Sequence, residues 1–272
     1  MLSERRESVA LYFALVFVAA GAWWLLAEAV TPAASSSQGV RELMFLPGTF
    51  APGIVAIILT ARAKGRAGVD ELLGGLFLWR VDVRFYIFAL TYMAGIKLAA
   101  AVAHRAITGD WPAFATGPVI LLFVAVIFSA PFQAGEEIGW RGYALPRLAS
   151  SMGLGRASIL LGVIWALWHL PLFYIASTPN AGQSFPVYML GVTALSVAMA
   201  WLYTRTGGSL LLVMLMHAAV NNTTGIVPSG SVTTANPWEL TASLTGWLTT
   251  GLLWIGAIYF LVRMPKAGSH RP

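Results

Sequence analysis

Long apolar runs, separated by short polar or basic segments, dominate the chain. Eight runs reach about 20 residues, the length that a helix needs to cross a bilayer core of roughly 30 Å. This pattern predicts transmembrane helices at residues 9–30, 43–61, 85–104, 117–140, 157–176, 186–204, 209–228 and 241–262. We therefore expect an all-α polytopic membrane protein with about eight transmembrane helices, built as a single integral membrane domain over residues 1–272.

The segments between the runs differ in character. Residues 62–84 mix charged and apolar side chains, which predicts a short amphipathic helix on the membrane surface. Residues 105–116, 177–185 and 229–239 are polar and carry turn-forming residues, so we expect loops there. The first run follows two arginines, as a signal peptide does. It is too long for a typical signal-peptide core and no cleavage site stands out, so we interpret it as a retained helix.

The distribution of charge predicts the orientation. The chain is 58% hydrophobic and only 10% charged, with 17 Lys and Arg against 11 Asp and Glu. With the N-terminus inside, thirteen of the 17 basic residues fall on the cytoplasmic side and two outside. We therefore expect both termini to be cytoplasmic and the protein to be a multi-pass component of the plasma (inner) membrane. The basic residues flank spans instead of forming one patch, so we expect no nucleic-acid partner.

Two adjacent carboxylates interrupt the fourth apolar run. Glu136 and Glu137 are followed by Arg141, at EExxxR spacing. A charge inside a membrane helix costs on the order of 3 kcal/mol even on the mildest insertion scale, and intramembrane ionisable groups commonly serve function. Arg141 lies one helical turn after Glu137, so the two can pair. The cluster is a candidate functional site, although a purely structural ion network is the alternative.

Two histidines lie at a matching depth on other runs. Counted at 1.5 Å per residue from the nearest basic residue at the cytoplasmic end, His169 and His217 both lie roughly 18–20 Å deep. Counted from Arg147, eleven residues later, Glu136 lies about 16 Å deep, whereas Arg141 as the boundary would place it shallower. We take Arg147 as the boundary because it brings the polar groups to one level. Asn221 is four residues after His217 and shares its helix face. These polar groups should therefore meet at one level within the membrane, in a core formed by residues 117–228.

This set of side chains suits hydrolysis. A carboxylate beside an imidazole can activate water, and an Asn with a second His can donate hydrogen bonds to an oxyanion. The chain has no cysteine, which excludes a thiol nucleophile. Glu136, His169 and His217 also make a candidate Zn²⁺ set with one open position, although the compact HExxH motif is missing. A metal-free mechanism stays open. The eleven tryptophans are interpreted as interface and packing residues.

Three short motifs in order resemble those of a known family. They are EExxxR (Glu136, Glu137, Arg141), aromatic-xxx-His (Trp165, His169) and HxxxN (His217, Asn221). In this order and on these spans they resemble the CAAX-protease and bacteriocin-processing family of intramembrane endopeptidases, also called the Abi or type II CAAX prenyl endopeptidase family. The second motif usually carries Phe where this chain has Trp165. Since both are aromatic, we expect the difference to have a small effect.

The resemblance implies a role for each motif residue. Glu136 would activate the attacking water, with His169 as its partner. His217 and Asn221 would form the oxyanion site, while the second glutamate and the arginine would orient and support the first glutamate. Family members are described both as metal-dependent and as glutamate-dependent without metal, so the resemblance leaves the zinc question open.

We therefore expect an intramembrane endopeptidase whose site opens toward the cytoplasm. Its expected partners are the lipid bilayer and a membrane-associated peptide, either lipidated (prenylated and CAAX-like) or of the bacteriocin or signal type. No residue is indicated for substrate binding. One alternative is a non-catalytic immunity or scaffold protein of the same family. Another is a proton-coupled transporter, which would show inverted repeats that the sequence does not display.

Overall fold

The computed structural model describes residues 8–31, 37–228 and 232–264. These residues form helices and connecting segments, with no strand among them. The α-helices are α1 (Val9–Val30), α2 (Gln38–Gly74), α3 (Val83–Thr108), α4 (Val119–Ser129), α5 (Ala134–Glu137), α6 (Leu145–Met152), α7 (Leu154–Trp168), α8 (Phe185–Arg205), α9 (Leu210–Thr223) and α10 (Leu244–Arg263). Three 3₁₀ segments (Gly75–Phe77, Ala130–Gln133, Leu170–Phe173) and one π-helical segment (Ile138–Ala144) join them.

The prediction of a polytopic all-α membrane protein is confirmed. In the described part of the chain, six helical stretches are long and apolar enough to cross a membrane. Two further apolar helices, α7 and α9, have 15 and 14 residues. They are therefore only about 21–22 Å long, less than a bilayer core. Each of the eight predicted segments contains a helix, and the two short helices are those associated with the histidines.

Two helix boundaries differ from the predicted ones for local reasons. The predicted span 157–176 ends its α-helix at Trp168, because Pro171 lacks an N–H and a 3₁₀ turn replaces the next helical turn. The predicted span 117–140 continues in a helical path to Met152, through 3₁₀, α and π segments. The apolar pattern alone could not anticipate this change of helix type.

Helix α2 is far longer than its predicted span and contains a sharp kink. Gly65 has φ 65° and ψ −160°, a conformation that favours glycine. Beyond it the chain stays helical to Gly74, inside the segment 62–84 predicted as a surface helix. An ion pair between Lys64 and Glu71 (3.5 Å) spans the kink on its exposed side. The helical character is therefore found over part of the segment, while its position on the membrane surface stays a prediction.

One apolar core holds the bundle together. Helix α7 packs on α8, α8 on α10, α10 on α3, and α3 on α9. Helix α1 packs on α2, and α2 in turn contacts α5 and the π-helical segment. The segment formed by α5 and the π helix also contacts α7 and α9. The two glutamates therefore lie on a segment that contacts α2, α7 and α9.

The outer face of the bundle is apolar. Phe128 on α4 is 75% exposed and Val262 on α10 is 80% exposed, and both helices present further large aliphatic side chains outward. Such a surface suits hydrocarbon and not water. Residues 1–7, 229–231 and 265–272 lie outside the described residues, so the cytoplasmic termini and part of the predicted loop 229–239 stay predictions. The single domain over residues 1–272 also stays a prediction.

Close packing between α7 and α8 depends on a missing side chain. A Cβ at Gly162 would lie 2.7 Å from Thr193 Cα and 2.8 Å from Ser196 Cβ. We predict that Gly162→Ala lowers the free energy of unfolding by about 1–3 kcal/mol, the usual cost of overpacking. Gly191→Ala is the matched control, because a Cβ there would meet nothing within 4 Å. Thermal unfolding in detergent measures both; an unchanged midpoint for Gly162→Ala would contradict the packing described.

Candidate active site

The glutamate-bearing segment lies backbone against backbone on α2. A Cβ at Gly53 would lie 2.8 Å from the carbonyl oxygen of Gly135, and a Cβ at Gly135 would lie 2.7 Å from Phe50 Cγ. Gly139 is equally close to Pro52. Small residues allow such close approach between membrane helices. The glycines that flank the two glutamates therefore fix the depth and distance of this segment from α2.

A π-helical segment follows the glutamates directly. It spans Ile138–Ala144, and the Leu145 N–H bonds the carbonyl of Trp140, five residues earlier. Pro146 comes next, and its ring would crowd the carbonyl four residues before it in a regular α-helix. A wider turn ahead of the proline accommodates it. Single π turns are rare and occur frequently at functional sites.

Glu136 is held by two indole groups. Trp165 Nε1 donates to Glu136 Oε2 at 2.7 Å, and Trp140 Nε1 donates to the same oxygen at 3.3 Å. Within the described residues, no hydrogen bond reaches Oε1. The side chain is buried but keeps 5% exposure, whereas its neighbour Glu137 has none. One oxygen of Glu136 is thus fixed and the other is left for a group that is not part of the protein.

Glu137 forms a fully buried charge network. Its Oε1 accepts from Arg141 Nη1 at 2.9 Å and from His217 Nδ1 at 2.7 Å. Arg141 also donates to Met199 Sδ at 3.3 Å and lies over the Trp165 ring, 4.4 Å from its centroid. Glu137 Oε2 is buried without a partner among the described residues. Burial of an ion pair is costly unless it is well bonded, so this network fixes its members in one arrangement.

Both histidines bind a protein oxygen through the same ring nitrogen, Nδ1. His169 Nδ1 lies 2.9 Å from the carbonyl oxygen of Trp165, and His217 Nδ1 lies 2.7 Å from the Glu137 carboxylate. Both acceptors are oxygens that cannot donate, so each Nδ1 carries the proton. In the neutral ring, Nε2 then holds the lone pair. Each Nε2 can therefore act as a base or as a metal ligand.

Asn221 lies at the edge of the site. It is exposed, and its Nδ2 lies 3.4 Å from Gln133 Oε1, a long contact for a hydrogen bond. It follows His217 by one helical turn on α9, so both side chains lie on the same side of that helix. Gln133 was not anticipated from the sequence. Its spacing of three residues before Glu136 was the available signal.

Trp165 connects Glu136 and His169. No hydrogen bond joins these two residues directly in the described part of the chain, but Trp165 donates to one and accepts from the other. The indole N–H has no counterpart in Phe, so Trp165 is not a mere aromatic equivalent of the usual motif residue. The interpretation of the tryptophans as packing and interface residues missed this bond and that of Trp140, which lies four residues after Glu136.

The candidate zinc ligands do not converge. Over the described residues, no group of three His, Asp or Glu side chains is arranged to hold a metal ion. One oxygen of Glu136 is engaged by two indoles. The other oxygen of Glu136 and both imidazole Nε2 atoms stay without a protein partner among the described residues. Both imidazoles do bind a protein acceptor through Nδ1, as metal-bound histidines commonly do, so a role for Zn²⁺ stays a prediction for metal analysis.

A cavity of about 770 Å³ lies next to the site. Its walls come from α1, the N-terminal part of α2 and residues 172–180. These parts lie at the helix ends that the charge distribution predicts to be external. On that orientation the cavity lies opposite to the predicted opening toward the cytoplasm.

The fold and the site define a polytopic membrane protein with a hydrolase-like constellation at its centre. The sequence profile of type II CAAX prenyl endopeptidase Rce1-like proteins matches residues 115–223, which include every motif residue. The chain is also 27% identical over 241 residues to CAAX prenyl protease 2 of Methanococcus maripaludis, covering 81% of this chain and 85% of that protein. The chain is therefore similar to type II CAAX prenyl endopeptidase Rce1-like proteins over the part that carries the motifs, and to a CAAX prenyl protease over most of its length.

The buried network predicts a strong effect on stability. We expect Arg141→Met to lower the free energy of unfolding by about 3–5 kcal/mol, because it leaves the Glu137 carboxylate buried without its cation. Adding Glu137→Gln should recover part of this loss. Arg105→Met is the control, since Arg105 is exposed. Thermal unfolding in detergent measures all three, and equal losses for Arg141→Met and Arg105→Met would contradict the description of the network.

Proposed function

We propose that this protein is an intramembrane endopeptidase in which Glu136 activates the water that attacks a peptide bond. One observation carries the proposal. Glu136 has one oxygen fixed by two indole donors, the other without a protein donor among the described residues, and residual exposure. A general base needs such an oriented and reachable oxygen. Glu137 is sealed, so Glu136 is the better candidate for the base.

The proposed reaction uses groups of this chain alone. Glu136 Oε1 takes a proton from water while the water oxygen bonds to the carbonyl carbon of the scissile peptide. The tetrahedral intermediate then collapses, the C–N bond breaks, and the proton passes to the leaving amine. His169 Nε2 would accept a hydrogen bond from the water and hold it for attack. No step requires a metal.

His217 and Asn221 would stabilise the oxyanion. To donate through Nε2, the imidazole of His217 must be protonated on both nitrogens. The Glu137 carboxylate accepts the Nδ1 proton at 2.7 Å and so fixes the orientation of the ring. We therefore propose that Glu137, held by Arg141, serves His217 and not Glu136, a change from the role that the resemblance implies.

The proposed substrate is a membrane-associated peptide. The relative from Methanococcus maripaludis is named CAAX prenyl protease 2, so a prenylated peptide is the first substrate to test. A bacteriocin-type or signal-type peptide is the alternative substrate and can be tested in the same assay. The lipid group would occupy the bilayer while the peptide enters the bundle.

Loss of the base should abolish cleavage. We predict that Glu136→Gln and His169→Ala each lower kcat for a prenylated peptide by about 10²–10⁴-fold, the usual contribution of general acid–base catalysis. Glu71→Gln, an exposed carboxylate outside the site and the cavity lining, is the control. Purified protein in detergent or liposomes is assayed by mass spectrometry, with metal content and activity measured before and after chelation. Full activity in both site variants would sink this mechanism.

The indole donor of Trp165 should contribute to the rate. We predict that Trp165→Phe lowers kcat by about tenfold, since a hydrogen bond to a charged group is worth about 1.5–3 kcal/mol. Trp168→Phe is a matched control, because it removes the same atoms from a buried tryptophan whose Nε1 has no partner among the described residues. If both variants lose activity equally, the bond to Glu136 is not the cause.

A further inference from the structure

We propose that the cavity beside the active site binds the end of the substrate peptide, and that Arg41 binds a carboxylate at that end. The inference rests on the proposed endopeptidase function and assigns it a substrate-binding residue. It follows from the position of the cavity, from its lining and from a guanidinium group in that lining with a hydrogen-bond donor to spare.

The cavity is lined by both apolar and polar side chains. Its volume of about 770 Å³ lies within the usual range of ligand sites. The apolar side chains used here are Trp24, Phe45 and Leu172, and the polar ones are Thr49, Arg41 and Ser177. This arrangement suits a short peptide with apolar side chains and a charged end.

The inner end of the cavity adjoins the residues of the site. Leu172 lines the cavity, and its N–H bonds the carbonyl of His169 at 2.9 Å. Trp24 lines it too and packs on Trp168, with ring centroids 4.8 Å apart. Trp168 in turn contacts the His169 ring at 4.7 Å between centroids. Two tryptophan side chains, Trp24 and Trp168, therefore lie between the cavity and the His169 ring.

Helix α2 connects the cavity with the segment that carries Glu136. Thr49 lines the cavity, and the next residue, Phe50, lies against Gly135, directly before Glu136. Arg41 lies eight residues before Thr49 on this helix, which corresponds to about 12 Å. An extended chain covers about 3.3 Å per residue, so a few peptide residues fit between these two levels. The carboxylate would then be the peptide's C-terminus.

Arg41 is held in place but keeps donors to spare. Its Nη2 donates to the carbonyl of Ser177 at 3.0 Å, and Ser177 Oγ donates to Glu28 Oε2 at 3.0 Å. Arg41 Nε is buried and has no partner among the described residues. A guanidinium presents its donors in a planar fork that matches a carboxylate. Arg41 Nη1 donates to none of the described residues, and a carboxylate in the cavity would give it an acceptor.

The nearby acidic residue does not take this role. Glu42 also lines the cavity, but it is exposed and its Oε1 accepts from Gln38 at 2.8 Å. In the described part of the chain no ion pair joins Glu42 to Arg41. The positive charge of Arg41 is therefore open to an anionic group of the substrate.

The test compares two forms of one peptide that differ only in the C-terminal group. A fluorescein-labelled, farnesylated hexapeptide is made as the free C-terminal acid and as the C-terminal amide. Binding is measured by fluorescence anisotropy and cleavage by mass spectrometry, with full-length protein in liposomes. For the unaltered protein we expect the acid to bind about tenfold or more tightly than the amide, with the difference in KM and not in kcat.

Three variants isolate the contribution of Arg41. Arg41→Gln should lose the preference for the acid and leave the amide peptide unaffected, while Arg41→Lys should keep part of the preference because it keeps the charge. Arg105→Gln removes an exposed arginine that does not line the cavity and should change nothing.

Two results would overturn the inference. One is equal binding of acid and amide by the unaltered protein. The other is an equal loss for both peptides in Arg41→Gln, which would mean that Arg41 only braces the segment at Ser177. Peptide binding is also measured by anisotropy with the Glu136→Gln variant, in which cleavage is expected to be slow. A protein that cleaves neither peptide would contradict the proposed function, while the binding data would still decide the role of Arg41.

Discussion

The Glu137 carboxylate accepts from Arg141 and His217 at a place where no water reaches it. Burial of this charge in an apolar bundle costs free energy, and the cost is offset only if both donors stay within hydrogen-bond distance. That requirement ties the π-helical segment to α9. Through the stacking of Arg141 on Trp165 it ties the same segment to α7. The three elements that carry the motifs are therefore held in register by one buried charge.

Local contacts position the segment that carries Glu136. Glycines at the contact with α2 remove the side chains that would hold the helices apart. The π turn leaves room for the ring of Pro146, which follows it. The indoles of Trp140 and Trp165 then fix Glu136 without sealing it. Next to the sealed Glu137 carboxylate, the chain thus presents a second carboxylate, that of Glu136, which keeps some exposure.

Much of this arrangement was predictable from the sequence. Apolar runs of membrane length gave the helices, and counting depth from basic residues brought Glu136, His169 and His217 to one level. Helix rotation was not predictable, because periodicity does not report a π turn. As a result the pairing of Glu137 with His217 was missed. The indole donors were missed because tryptophan is common in membrane proteins for other reasons, and an N–H bond depends on ring orientation.

The two short helices have a consequence for the surrounding lipid. At about 21–22 Å, α7 and α9 fall short of a hydrocarbon core of roughly 30 Å. Such a mismatch is relieved by thinning of the bilayer or by entry of polar groups and water at the helix ends. Hydrolysis inside a membrane needs water at a place that lipid normally keeps dry. Under the proposed function, the shortness of these helices would bring water closer to the site, and the rate would then depend on the thickness of the host membrane.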